Sequence, residues 1–279
     1  MLAWLFLAPV HSRTVLKHSI KEDRGQVMNT TLTALIVFGC LVGAALLGRL
    51  IRRLLPDHHL ASDSKDGIKL ALGLVSTMSA LVLGLLVSSA KSSYDTERGE
   101  VIQMAAKVAF ADRVLAMYGP DAADLRIRFH EGVKEAIGGI WPEQARRSGH
   151  LAAPNTETGN ALYVAVQNLS PRDDTQRKLK DETASLATDL VQLRSLLQAQ
   201  SVPSISIPML VILVSWLVII FLGFSVLAPG NPTVIFAFII SAVAVSGAIF
   251  LILELDQPFA GVLQISSEPL RNAISHFAQ

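Results

Sequence analysis

A chain of 279 residues that is 51% hydrophobic and only 17% charged is too apolar for a water-soluble domain of that length, and its mean hydropathy of +0.45 points to a membrane as solvent. A formal net charge of +1 and 6% aromatic residues offer neither a basic surface nor a stacking platform, so no nucleic-acid partner is expected. The single cysteine, Cys40, lies in an apolar run, which excludes an intrachain disulfide framework and a cysteine-rich metal site.

The first residues, Met1 to Val10, are apolar but short, lack a preceding basic residue, and lead into a charged stretch without a clear small-residue cleavage site. They make a poor signal peptide. Met28, followed by Asn-Thr-Thr and an apolar run, is a more natural start, so residues 1–27 are expected to be a disordered leader or an over-extended start.

Crossing the hydrocarbon core takes roughly 20 apolar residues of helix. Leu32 to Ile51, Ile68 to Ser89, Ile207 to Ala228 and Thr233 to Leu255 meet that length, with charges such as Lys69 and Glu254 near enough to the ends to snorkel. Arg52 to Gly67, with Pro56, joins the first pair, and Pro229-Gly230-Asn231-Pro232 turns the second. The expected fold is all-α: a transmembrane hairpin over 28–90, a soluble helical segment over 91–206, a second hairpin over 207–255, and a C-terminal interfacial segment over 256–279.

In the segment between the hairpins, Val101, Met104, Val108, Ala111, Leu115 and Tyr118 recur at alternating steps of three and four, which predicts a helix ended by Gly119-Pro120. A second helix is predicted from Pro120 to Trp141 with Leu125, Phe129, Val133, Ala136 and Ile140 inward, stopped by Pro142. Residues 143–160 read as a loop. A third helix, from about Asp173 toward Ser201, carries a stripe of Leu179, Leu186, Leu190, Leu193 and Leu197. Such stripes make either a bundle core or a groove for a partner. Pro203 and Pro208 break the approach to the third span.

Orientation has two readings. The short first connection and its flanks carry Arg49, Arg52, Arg53, Lys65 and Lys69, which favours a cytoplasmic loop and an external soluble segment. Lys91, Arg98, Arg194 and Arg271 lie on the other side, and a connection longer than about 60 residues is weakly governed by charge.

Two constellations stand out as candidate sites. On the second span, Gly73, Thr77, Ala80, Gly84 and Ser88 fall on one face, suited either to close helix packing or to lining a narrow path where hydroxyls and exposed backbone solvate an ion. Gly39-x-x-x-Gly43 on the first span and Ala237, Ser241, Ala244 and Ala248 on the fourth repeat the small-residue pattern. After the fourth span, Glu254 and Asp256 mark either the water interface or a pore mouth or cation site, joined by Glu268 if the chain folds back. Glu254 and Asp256 point to nearly opposite faces of a continuous helix, so they make no general acid/base pair. The adjacent His58 and His59 diverge, His130 and His150 read as isolated, and no phosphate loop or nucleophile signature occurs. Neither enzymatic activity nor a cofactor nor a bound metal is expected.

Glu254-Leu-Asp-Gln-Pro258-Phe259-Ala-Gly261, followed by Ser-Ser-Glu268-Pro269-Leu, resembles the closing signature of the bestrophin-like integral membrane proteins, bacterial four-span proteins distantly similar to bestrophin anion channels. The second span running into Ser89 to Asp95, and the two-hairpin order, resemble that family across roughly residues 28–275. The resemblance implies four spans and an oligomeric ion pore, with the helical portion and both termini cytoplasmic, the reverse of the Arg52-Arg53 reading. Bestrophins constrict their pore with bulky apolar and aromatic side chains on the second span, where this chain offers Leu, Met and Val and no Phe. Their acidic calcium-binding cluster is not reproduced residue for residue by Glu254, Asp256 and Glu268. The expectation is therefore a multi-pass cell-membrane protein whose partners are the lipid bilayer, further copies of itself and inorganic ions. The alternative is a non-conducting scaffold or sensor that acts through the soluble helical segment.

Overall fold

The computed structural model describes residues 30–54, 62–141, 163–200, 205–229 and 231–275. Residues 1–27, His58, His59, the 143–160 loop with His150, and Pro203 lie outside them. Seven α-helices are named here: α1 Thr30–Leu54, α2 Ser62–Tyr118, α3 Ala123–Ile140, α4 Asp174–Gln200, α5 Ile207–Leu227, α6 Pro232–Leu255 and α7 Glu268–Ser275. Among the described residues there is no strand. Four of these helices, α1, α2, α5 and α6, are long and apolar enough to cross a membrane. A helix satisfies its own backbone hydrogen bonds, which is the condition for lying in hydrocarbon.

The first, second and fourth expected spans fall inside these helices, and the third, Ile207 to Ala228, runs one residue past the end of α5 at Leu227. The second lies inside its helix in an unexpected way, because no helix boundary separates its apolar part from the charged part that follows. With 57 residues, α2 is roughly 85 Å long, far more than a bilayer requires. Ser88 to Asp95 contains neither Gly nor Pro, so nothing there interrupts the backbone ladder. Pro208 is the second residue of α5, where its missing N–H leaves no intrahelical bond unmade.

The chain divides into two compact units. The first comprises residues up to Val75 and Trp216–Phe250. In it α1 buries Val37, Leu41, Ala44 and Gly48 at steps of four, three and four, while Leu32, Leu35, Ile36, Leu46 and Leu50 remain exposed, as lipid-facing positions do. The tightest approach of α1 to α5 is at Gly48, where an added Cβ would lie 2.6 Å from Leu222 O and 2.9 Å from Ser225 Cβ. Ser225 Oγ donates to Ala45 O beside it. Arg52 Nη1 donates to the carbonyls of Val226 and Ala228, closing the C-terminal end of α5 with a positive charge. Gly223 admits the Leu72 side chain of α2, 2.7 Å from where a Cβ would stand.

The second unit comprises residues 76–215 and 251–279. All six stripe residues from Val101 to Tyr118 are buried in its core. Gly119, at φ +103°, breaks α2 in a conformation that L side chains rarely adopt, and a 3-10 turn over Pro120–Ala122 leads into α3. On α3 the inward residues are Leu125, Phe129, Val133 and Ile137. Ala136 and Ile140, expected inward, are half-buried, because steps of four from Leu125 reach Ile137. On α4, Leu186, Leu193 and Leu197 are buried, with Leu179 and Leu190 packed against the same core. The stripes between Val101 and Leu197 therefore serve mainly as bundle core.

Candidate functional site

On α2, Gly73, Thr77, Ala80, Gly84 and Ser88 are all exposed. An added Cβ at Gly73 or Gly84 would meet nothing within 4 Å. The positions of this span that pack inward are others, Leu72, Ser79, Leu86 and Ala90. Gly39, Gly43, Ala237, Ser241 and Ala244 are exposed as well. Small residues make close helix contacts within the chain, but at Gly48 and Gly223, which spacing did not single out.

The segment after α6 folds back on the last turn of that helix. Glu254 is 1% exposed, and its Oε2 accepts the N–H of Val262 at 2.6 Å and of Leu263 at 3.4 Å. Gly261 has φ +81°, and a Cβ there would lie 2.4 Å from the same carboxylate oxygen. Pro258 O accepts the N–H of Ile265 at 2.7 Å, and Trp141 Nε1 donates to Ile265 O at 2.8 Å. Phe259 meets Trp141 edge-on, with ring centroids 5.6 Å apart. Asp256, one residue beyond α6, accepts the Ile205 N–H at 3.4 Å through Oδ2. Glu268 is exposed on the first turn of α7, its N–H bonded to Ser266 Oγ, and Pro269 follows it into the helix. The three acids thus answer to different surroundings. Among the described residues, no three His, Cys, Asp or Glu side chains converge to hold a metal ion.

Two polar clusters of the second unit are absent from the sequence reading. Asp112, with a side chain 2% exposed, receives Arg126 Nε at 2.6 Å and Nη2 at 2.7 Å, and His130 Nε2 lies 2.7 Å from its Oδ1. Burial pushes the Asp112 carboxyl upward, but the hydrogen bonds and charges of Arg126 and His130 outweigh it and hold the group below the ordinary carboxylate range. His130, read as isolated, is therefore a partner in a buried network. The second cluster is Glu97 and Glu100 on α2 with Gln200 at the end of α4. Gln200 Nε2 donates to Glu100 Oε1 at 3.1 Å, and Glu97 is 6% exposed.

The Bestrophin-like domain, as a family profile, matches residues 39–270, most of the chain. The chain belongs to the bestrophin-like family. Comparison with curated proteins gave no match. The matched range of this bestrophin-like chain takes in all four long apolar helices, at least in part, and the whole of the fold-back segment from Glu254 to Leu270. The residues that carried the resemblance are here given physical roles: Glu254 and Gly261 form one tight contact, Phe259 packs the segment on Trp141, and Pro258 closes it on itself through the Ile265 N–H. A sequence signal did exist for the second cluster. Glu97 stands four residues before Val101, at the next position of the buried stripe, where an acid is out of place.

Proposed function

We propose that copies of this multi-pass membrane protein assemble in the cell membrane as a homo-oligomeric channel for inorganic ions, with the Gly73 to Ser88 face of α2 turned to the conduction path. The observation that carries the reading is the exposure of that face. Lipid tails gain little from a row of Gly, Ala, Thr and Ser, whereas a second helix or a file of hydrated ions can use the exposed backbone and hydroxyls. The outward face continues along the same helix through Ile102, Phe110 and Met117, which are 51%, 46% and 58% exposed. Apolar side chains left in water on a charged segment favour coverage by a neighbouring copy. Glu254 and Asp256 then lie at the mouth, with Glu268 beyond them.

The same three exposed residues, with Ile127 on α3 at 58%, favour the second reading, a non-conducting scaffold or sensor whose soluble segment captures a partner. Ion flux into liposomes holding the purified protein, against empty liposomes, separates the two. Chloride or cation flux that depends on the protein and falls strongly in the double variant Gly73→Leu, Gly84→Leu is expected. Among the described residues an added Cβ at either position meets nothing within 4 Å, so an unfolding temperature close to that of the wild type is the control expected of that variant. Absence of flux over a range of pH, calcium and voltage overturns conduction and moves the function to partner capture on residues 91–201.

A further inference from the structure

Glu97 and Glu100 are one turn apart on α2, so their side chains share a face of the helix. Glu97 Oε2, Glu100 Oε2 and Gln200 Oε1 are all buried, and among the described residues no hydrogen-bond donor reaches any of them. Gln200 gives an amide N–H to Glu100 Oε1, and its own oxygen receives no donor among the described residues. The charged groups that act on Glu97 are Glu100, from its own helix, and Asp256, from the segment after α6, and both are acids. Gln200, from α4, adds an acceptor and no charge. Among the described residues, what the three oxygens lack is a donor.

Two ionised carboxylates a helical turn apart, Glu97 buried and Glu100 half-buried, repel each other, and the pair lowers its free energy by keeping one proton. A proton on Glu97 turns one acceptor into a donor and can be given to Glu100 Oε2 or Gln200 Oε1, so that it answers two orphaned oxygens at once. A metal ion is the poorer occupant, since no three His, Cys, Asp or Glu side chains among the described residues converge to hold one.

We propose that Glu97, Glu100 and Gln200 form a proton-binding site in which Glu97 carries the proton, and that its loss at higher pH sets like charges against each other where α2, the end of α4 and Asp256 meet. Burial, then Glu100, then Asp256 raise the Glu97 carboxyl to about 7, so the exchange falls near neutral pH. The consequence reaches the membrane helices, because Asp256 directly follows α6 and holds the Ile205 N–H just ahead of α5. The site stands whether or not the chain conducts.

The test compares wild type with Glu97→Gln, which fixes a neutral side chain of the same shape, in detergent over about pH 5 to 8. With a folded pKa above the unfolded one, the wild type keeps its proton when the unfolded chain has released it. Its stability therefore falls as pH rises from about 4.5 through about 7 and is level above. The expected results are an unfolding temperature that drops by several degrees over that window in the wild type and not in Glu97→Gln, and a carboxylic-acid carbonyl band in the infrared at mildly acidic pH that Glu97→Gln lacks. Glu100→Gln, which removes one repelling charge, moves the midpoint to lower pH, and it serves as the second variant if Glu97→Gln fails to fold. Equal pH slopes in wild type and Glu97→Gln, or absence of the carbonyl band, overturns the proposal. Saturable stabilisation of the wild type, and not of Glu97→Gln, by sodium, potassium or calcium at alkaline pH also overturns it, in favour of a metal cation.

Discussion

Asp112 is a charge enclosed in a helical core, and it stays ionised there because Arg126 presents two parallel N–H groups to its two oxygens. Replacing one partner of such a pair leaves the other buried and unanswered. Arg126→Met should therefore cost about 3 kcal/mol at neutral pH, measured by thermal unfolding in detergent. The sign of its pH dependence follows from the depressed carboxyl. The stability it supplies is present above the unfolded carboxyl range and is lost as pH falls through about 4 and below, so the gap between Arg126→Met and wild type narrows in acid. The sequence concealed this network because its members stand 14 and 18 residues apart, on either side of the Gly119 turn. Glu254 was visible as an acid at a membrane edge, yet its partners, Val262 and Leu263, are backbone N–H groups that only the fold-back brings within reach. Residue types can be read along a chain, whereas partners that depend on a turn cannot.

At the scale of elements, periodicity and breakers located most of what was found, since the four apolar runs and the three stripes are local properties of the chain. Small-residue motifs were less informative. The spacing of Gly39 and Gly43 names a face of α1 but not what covers it, and the helix crossing occurs instead at Gly48. Gly48→Ala should destabilise by about 2 kcal/mol, because the new Cβ overlaps the Leu222 carbonyl and the Ser225 side chain, neither of which can yield without moving α5. Gly39→Ala meets nothing within 4 Å and should gain slightly from the better helix propensity, by about 0.5 to 1 kcal/mol. Unfolding temperatures of the two variants, side by side, check both signs. Arg52 carries a related lesson. It was counted as a topological charge, and the structure gives it a local task at the end of α5 as well, so its presence in the loop has a cause independent of which side faces the cytoplasm.

For the whole molecule, the decisive question is what meets the outward face of α2. Cysteine chemistry can answer it, because Cys40, the only native thiol, is itself exposed and can be removed as Cys40→Ser. In that background Ala80→Cys puts a thiol on the small-residue face, and Ser79→Cys puts one a residue away on the inward face, where Ser79 is 3% exposed. If copies pack around a common axis along this face, Ala80→Cys forms a disulfide-linked dimer on mild oxidation in the membrane, while Ser79→Cys stays monomeric on a denaturing gel. If the face instead meets only lipid, neither variant crosslinks and Ala80→Cys reacts freely with a membrane-permeant maleimide. If it lines a wet path, Ala80→Cys also reacts with a charged, membrane-impermeant thiol reagent, and that reaction slows when the permeating ion is in excess. A lipid-facing thiol gives such a reagent no water in which to approach it, so the charged reagent distinguishes a conducting lumen from a dry interface between copies.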